Sequence, residues 1–385
     1  MKIGMVIVYK STNYGALLQA FATQRYIENA GLETEIIVCE NGTWSGNKLK
    51  KVVKHFIPVV LKTTLKTIRR KKNISKNTVI QKADQERNCK ADEFVSAYMH
   101  GITRFSSLNE LREYVSETYS TVMVGSDQLW TPQCFYNDLN TLRFVPDSVN
   151  KVSYATSMGV SRIPWYTTGV LRKFISRINY ISVREVTGRR IIEEVSGRDD
   201  VIVVPDPTLL LEKDEWDTAI QHSGEIGDYI FCYFLANDGE SMRKTLEFAK
   251  KRNIRVVAVR NIEVFDEDNT DYGLAEILES PSISEFVIHI RNARYVFTDS
   301  FHGTLFSIIN HKEFVTFYRT KHSNKDSRNS RIDDFLEALQ LDHRIVKNNV
   351  DLSEIVANAI DYGNVDIKVS EMRKTGREFL HRALI

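Results

Sequence analysis

Residues 2–39 read "KIGMVIVYKSTNYGALLQAFATQRYIENAGLETEIIVC". The first nine residues are an apolar run with strand character, and "STNYG" is a turn. "ALLQAFATQRYIENAG" then places Leu17, Leu18, Phe21, Tyr26 and Ile27 close to one helical stripe, with Gly31 positioned to end the helix. "ETEIIVC" supplies a second strand. A strand, a helix and a strand in this order make a βαβ unit, whose first turn lies at Asn13–Gly15.

The same alternation recurs down the chain. "TVMVGSDQLW" is a strand ending at Gly125-Ser126-Asp127, "KVSYATSMG" is another, and "YISVRE" is a third that runs into a helix over 185–196. "DVIVVPDP" stops at Pro205-Asp206-Pro207, a rigid turn suited to a crossover between domains. The pattern restarts with "YIFCYFL", a helix over 240–252, "IRVVAV", a helix over 284–292, "ARYVF", a helix from about 302, and "EFVTFY". Residues 261–280, with "FDEDN", are expected to form a polar surface loop, and the last 35 residues an amphipathic helical segment.

Apolar strands alternating with helices imply parallel sheets covered on both faces. The fold class expected is therefore α/β, with two Rossmann-like doubly wound domains in tandem. The divisions fall at 1–204, 205–350 and a C-terminal helical segment at 351–385. Ligands of such folds bind at the carboxyl ends of the strands. Those ends carry Asn13, Tyr14, Gly15, Ser126, Asp127, Arg184, Asp206, Ser300 and His302, a set suited to a small anion and a hydroxyl-rich partner.

Composition narrows the class. With 385 residues, 42% of them hydrophobic and only 7 Pro and 18 Gly, the chain can bury two cores and holds no fibrous tract. The opening apolar run is too short for a signal peptide, and no apolar stretch approaches membrane-spanning length. Cys39, Cys89, Cys134 and Cys232 are scattered, as expected of reduced thiols in a cytoplasmic protein. No Gly-x-Gly-x-x-Gly, His-Glu-x-x-His or Gly-x-Ser-x-Gly motif is present, and no metal site is expected.

Charge is unevenly distributed. The net +2 conceals residues 41–80, which hold 11 Lys and Arg and no acidic residue and leave 41 basic against 50 acidic residues elsewhere. Within "NKLKKVVKHFIPVVLKTTLKTIRRKKNISKN", Leu49, Val52, Val53, Phe56 and Val60 form one stripe. Pro58 interrupts it, and Leu61, Leu65 and Ile68 form a second. This insertion is expected to dock residues 48–72 on an anionic membrane surface, or else to pack on the acidic body. Nucleic acid is not expected as a partner, because few aromatics interleave the basic residues.

Among the candidates, Asp127 serves as a general base, a sugar-hydroxyl acceptor or a helix cap. Arg184 serves as an anion fork or an ion-pair partner. At the strand-to-helix turn of "TDSFHGTL", Ser300 can cap, and Gly303 can take a backbone conformation closed to other residues. His302 can exchange protons near neutral pH.

Six stretches in order, "NYGALLQAFATQ", "VGSDQLW", "SYATSMG", "ISVRE", "VPDPTLLL" and "TDSFHGTLFSI", resemble the polysaccharide pyruvyl transferase family over about residues 3–340. The resemblance implies a GT-B-like pair of domains. It further implies phosphoenolpyruvate as donor, no cofactor, and a ketal bridging two hydroxyls of one sugar as product, within bacterial capsule, exopolysaccharide or cell-wall glycan synthesis. The family's Arg falls on Arg184 and its His on His302. Where many relatives have a second Arg, this chain has Ser300, so Arg319, Lys321 or Arg331 is expected to hold the donor. The acceptor sugar is expected to be carried on a polyprenyl phosphate, with the protein peripheral at the inner face of the cell membrane. Two alternatives are a GT-B glycosyltransferase using a nucleotide sugar and a non-catalytic membrane-docked scaffold.

Overall fold

The computed structural model describes residues 2–39, 57–221, 224, 226–236, 239–262, 271–319, 329–347 and 350–385. The first apolar stripe of the basic segment, Leu49 to Phe56, and Lys321 lie outside these residues.

Seven parallel strands form the first sheet: β1 (Lys2–Val6), β2 (Glu33–Cys39), β3 (Ile102–Phe105), β4 (Thr121–Val124), β5 (Asn150–Thr156), β6 (Tyr180–Val183) and β7 (Ile202–Val203). Their order is β3-β2-β1-β4-β5-β6-β7. The connections are α1 (Tyr14–Asn29), α2 (Pro58–Lys76), α3 (Thr78–Tyr98), α4 (Leu108–Thr118), α5 (Thr168–Ile175) and α6 (Val186–Ser196), and α7 (Lys213–Ala219) follows β7. The second sheet has the order β10-β9-β8-β11-β12, all parallel. Its strands are β8 (Tyr229–Tyr233), β9 (Arg255–Val259), β10 (Glu276–Leu278), β11 (Tyr295–Thr298) and β12 (Glu313–Thr316). They alternate with α8 (Glu240–Arg252), α9 (Ile283–Asn292) and α10 (Phe301–Ile309), and α11 (Ser330–Ala338), α12 (Leu352–Ala357) and α13 (Tyr362–Leu384) close the chain. The doubly wound α/β expectation holds for both halves.

Each strand order reverses once, between β1 and β4 in the first sheet and between β8 and β11 in the second. At such a switch point the neighbouring connections leave on opposite faces and open a crevice beyond the carboxyl ends. The turns after β1 and β4, and those after β8 and β11, are the positions at which folds of this class bind ligands. One apolar core runs across both halves, joining Tyr14, Leu17, Leu18 and Phe21 of α1 to Phe286 and Ile290 of α9 and Leu305 of α10. Helix α13 ties the halves again. Val365 and Val369 belong to that shared core, whereas Phe379, Leu380, Ala383 and Leu384 pack with Ile3 and Met5 of β1.

Several elements differ from the sequence expectation. The first strand ends at Val6 rather than running to Lys10. No apolar pattern marks strand β3, and β10 lies inside the stretch expected to be a polar loop, of which residues 263–270, holding "FDEDN", lie outside the described residues. Both are short edge strands whose residues alternate weakly, so no apolar run marks them. Pro58 stands in the first turn of α2, where its missing N–H costs nothing, and the stretch before Ile57 that it was expected to interrupt lies outside the described residues. Among the described residues, no helix is long and apolar enough to cross a membrane.

Candidate active site

The two switch points face each other, and Asp206 is the residue at which they meet. Asp206 caps a short 3-10 turn, its Oδ1 accepting from the Thr208 N–H at 3.1 Å and from the Thr208 hydroxyl at 2.8 Å. Its Oδ2 accepts from Arg184 at 2.5 Å and from the Ser126 hydroxyl at 3.2 Å. The same oxygen lies 3.4 Å from Nε2 of His302. Burial alone would favour the protonated acid, but His302, Arg184 and the Thr208 N–H outweigh it and hold Asp206 well below the usual carboxylate range.

His302 belongs to the first turn of α10, whose N-cap is Ser300; the Ser300 hydroxyl accepts from the Gly303 N–H at 3.3 Å. The imidazole lies against Gly15 of α1, where a Cβ would fall 2.1 Å from Nδ1, so only glycine leaves room for the ring. Nε2 is buried and makes no hydrogen bond. The next residue corrects an expectation. Gly303 has no left-handed backbone and is required instead by a close approach, because a Cβ there would stand 2.6 Å from the Thr298 hydroxyl. Asp299 accepts from the Leu235 and Ala236 N–H groups at 2.8 and 2.7 Å and so fixes the turn after β8.

Arg184 follows β6 and is buried. Its guanidinium sits 4.4 Å from the centre of the Phe301 ring, and Arg331 of α11 approaches the same ring at 5.7 Å. Burial opposes the Arg184 charge, but Asp206, Glu185 and Asp127 outweigh it and raise its pKa. Arg331 has less compensation. Burial, then the positive charges of Arg184 and Arg319, push it down to about 9. Two cations buried near one ring are costly unless an anion joins them. Nε and one terminal nitrogen of Arg184, and Nε of Arg331, make no hydrogen bond. Gln128, with its amide oxygen toward Arg331, accepts from that guanidinium at 3.1 and 3.3 Å. Glu185 is buried, which raises its pKa against the pull of Arg184, and it accepts from the Ser157 hydroxyl. The α6 helix start beside it is capped from the other half of the molecule, Asp334 accepting from the Thr187 N–H at 3.0 Å.

Asp127 adopts a left-handed backbone, φ 69°, rare outside glycine. Its part-exposed carboxylate lies 3.8 Å from Arg184. A bulge in β5, with Ala155 also left-handed, lies next to it through the bridge of Asp127 to Thr156.

The structure thus brings together His302, Arg184, Asp127, Ser126, Gly15, Ser300, Gly303 and Arg331, with Arg319 close enough to act on the Arg331 charge. Asn13 serves as N-cap of α1, accepting from the Gly15 N–H at 3.0 Å. Tyr14 is not brought into the cluster. It is fully buried, its ring stacks 4.5 Å from Phe286, and its hydroxyl donates to the Pro281 carbonyl at 2.9 Å. Sequence reasoning placed Asp206 at a strand end but gave it no role, and gave none to Glu185, Gln128 or Phe301. An aspartate between two prolines on an apolar strand end is the one available signal, since its backbone is fixed and its neighbours bury it. Among the described residues, no group of three or more His, Cys, Asp or Glu side chains is placed to hold a metal ion.

A family model for polysaccharide pyruvyl transferase matches residues 13–321. No curated protein matches the sequence. Solved structures similar in fold include Staphylococcus aureus MnaA with UDP, at 11% identity over 100% of this chain and 98% of that one, TM-score 0.53. A UDP-GlcNAc 2-epimerase from Methanocaldococcus jannaschii is 10% identical over 99% of both chains, TM-score 0.50. An α-glucosyltransferase solved with UDP and DNA is 8% identical over 100% of this chain and 95% of that one, TM-score 0.50. These likenesses give the two Rossmann-like domains their GT-B arrangement.

Proposed function

The chain belongs to the polysaccharide pyruvyl transferase family, and from that premise we propose that it moves pyruvate from phosphoenolpyruvate onto two hydroxyls of one sugar as a ketal. The observation that carries the reading is the pair of buried guanidiniums set against Phe301 with N–H groups left over, beside a buried histidine whose Nε2 faces Asp206 at 3.4 Å. Phosphoenolpyruvate carries the two anions such a place takes. Arg184 and Arg331 take its phosphate and carboxylate, with Arg319 adding charge, which answers for the cation missing at Ser300.

His302 then delivers the Nε2 proton to the methylene carbon, and the neighbouring carbon gains oxocarbenium character. A sugar hydroxyl adds there, its proton passing to Asp127. The C–O bond to phosphate breaks, a second hydroxyl of the same sugar closes the ring, and its proton leaves with inorganic phosphate. Asp127 and His302 recover their starting protonation from water. Asp206 is a positioning residue in this scheme: it faces Nε2, supplies a countercharge to the imidazolium and fixes Arg184. The fixed cations meet the charge that develops, without reorganising at the moment of reaction. No cofactor is called for.

The acceptor we propose is a sugar on a polyprenyl phosphate, presented at the cytoplasmic face of the membrane. The scattered cysteines, none joined by a disulfide, suit that compartment. The test is release of inorganic phosphate from phosphoenolpyruvate across a panel of sugar acceptors, with mass spectrometry of the products. A pyruvyl gain with loss of water supports the reading. Turnover of a nucleotide sugar with no use of phosphoenolpyruvate would replace it.

A further inference from the structure

We propose that α2 and the loop carrying Trp165 form one docking face for an anionic lipid surface, set beside the mouth of the cleft. Helix α2 has no buried residue, and Leu61, Leu65 and Ile68 are 42%, 57% and 57% exposed. At 100° per residue these three lie on one stripe. Arg70 and Ile74 lie on the opposite side of the helix and hold it down. Arg70 pairs with Asp84 at 3.5 Å and donates to the Ile262 carbonyl at 3.3 Å, while Ile74 packs with Ile80, Ala83 and Ile262. The apolar stripe therefore faces away from the protein by construction. Around it stand exposed Lys62, Lys66, Arg69, Lys71 and Lys72, and α2 carries no acidic residue.

A second observation extends the face. Helix α2 packs against the turn Pro132–Tyr136. The same turn packs on α5, which the Trp165–Thr167 segment also contacts, and Trp165 meets Tyr166 edge to face at 5.9 Å. Trp165 is 83% exposed, in contrast to Trp130 and Trp216, which are fully buried. An exposed tryptophan beside a cationic apolar stripe is the composition of an interfacial anchor. The α2, Tyr136 and Trp165 segments follow the carboxyl ends of β2, β4 and β5, the edge of the sheet that also carries Asp127 and Arg184. A protein seated on this face turns its cleft toward the bilayer. The charge of the face favours anionic lipid as occupant, and the net acidic remainder of the chain would be held off the same surface.

This inference gives the lipid-linked acceptor of the preceding section its geometry, but its test needs neither donor nor acceptor. The full chain is mixed with phosphatidylcholine vesicles with or without phosphatidylserine, and binding is read by co-sedimentation. The expected result is binding only to the anionic vesicles, weakening as salt rises. It should fall by more than about 100-fold when Lys62, Lys66, Arg69, Lys71 and Lys72 are changed to Gln. Leu65→Ser with Ile68→Ser should weaken it, and the fluorescence blue shift on binding should shrink in Trp165→Phe. Turnover on a soluble acceptor should be unaffected in all three variants. Equal vesicle binding by parent and Gln variant would overturn the proposal. So would a parent that ignores vesicles but binds RNA or self-associates through these residues. A parent that binds vesicles yet never uses phosphoenolpyruvate would leave the docking face standing and remove the donor.

Discussion

The cleft and α2 are both rich in positive charge, yet the two regions treat it in opposite ways. Arg184 is buried against Asp206 and Phe301, so its position is fixed and its field is undiluted by water. The α2 lysines are exposed, without an acidic residue on their helix, and water screens each of them. A buried charge of this kind acts on one bound group at one distance. Exposed charges act collectively on a surface and tolerate replacement one at a time. The first region therefore suits chemistry and the second suits location, and substitutions in the two should separate those properties.

The largest effect should come from His302. His302→Gln keeps the size and polarity at the Gly15 contact but cannot deliver a proton, and turnover should fall by about 10² to 10⁴-fold with the melting temperature little changed. Wild-type rates would end the general-acid assignment, and a large fall in melting temperature would point to a packing role. Gly15→Ala comes next. Its Cβ would stand 2.1 Å from the His302 ring, so the imidazole must move, and a displacement near 1 Å costs on the order of 100-fold in rate. An unchanged kcat in a folded Gly15→Ala protein would show that the ring need not sit where it does.

Arg184→Lys should raise the KM for donor nearly as much as Arg184→Ala, because a point ammonium cannot reproduce a two-pronged contact. The KM for sugar should stay constant in the lysine variant. Arg184→Ala should in addition destabilise the fold by about 3–5 kcal/mol, since it removes the arginine paired with the buried Asp206 carboxylate. Unaltered donor dependence in both would return Arg184 to a structural ion pair.

The smallest effect concerns acid stability. An aspartate in an unfolded chain titrates near 4, and the folded Asp206 is held well below that. Its contribution is thus fully present above about pH 4 and drains away as pH falls from there toward the folded value. Asp206→Asn should lower the melting temperature at pH 7, and the gap to the parent should narrow as pH drops from about 5 to 3. A gap constant over that range would mean that the Asp206 charge is not what stabilises the junction.

The fold was legible where burial imposes a strong pattern. Central parallel strands are apolar on both faces, so β1, β4, β5, β8 and β11 stand out in the sequence. Edge strands β3 and β10 carry no such pattern, because one side of each meets solvent. The site was legible as a set of strand ends that includes His302, Arg184 and Asp127, and the resemblance to the family singled out His302 and Arg184 among them. Which strand ends converge was not, since that depends on the packing of α1 against α9 and α10 across the two halves. The same packing takes Tyr14 away from the cleft and brings Asp206 into its centre. Nor does the sequence reveal that Arg70 faces inward while its neighbours face out, a distinction that comes from the contacts of α2 with α3 and Ile262.

The measurement that tests the central claim most directly is the reaction run in deuterium oxide, with the product examined by mass spectrometry and proton NMR. If His302 Nε2, exchanged with solvent, delivers its hydrogen to the methylene carbon, the pyruvyl methyl group of the ketal must carry one deuterium. The His302→Gln protein should then give little or no product. A pyruvylated sugar whose methyl group holds no deuterium, or full product formation by His302→Gln, would contradict the account.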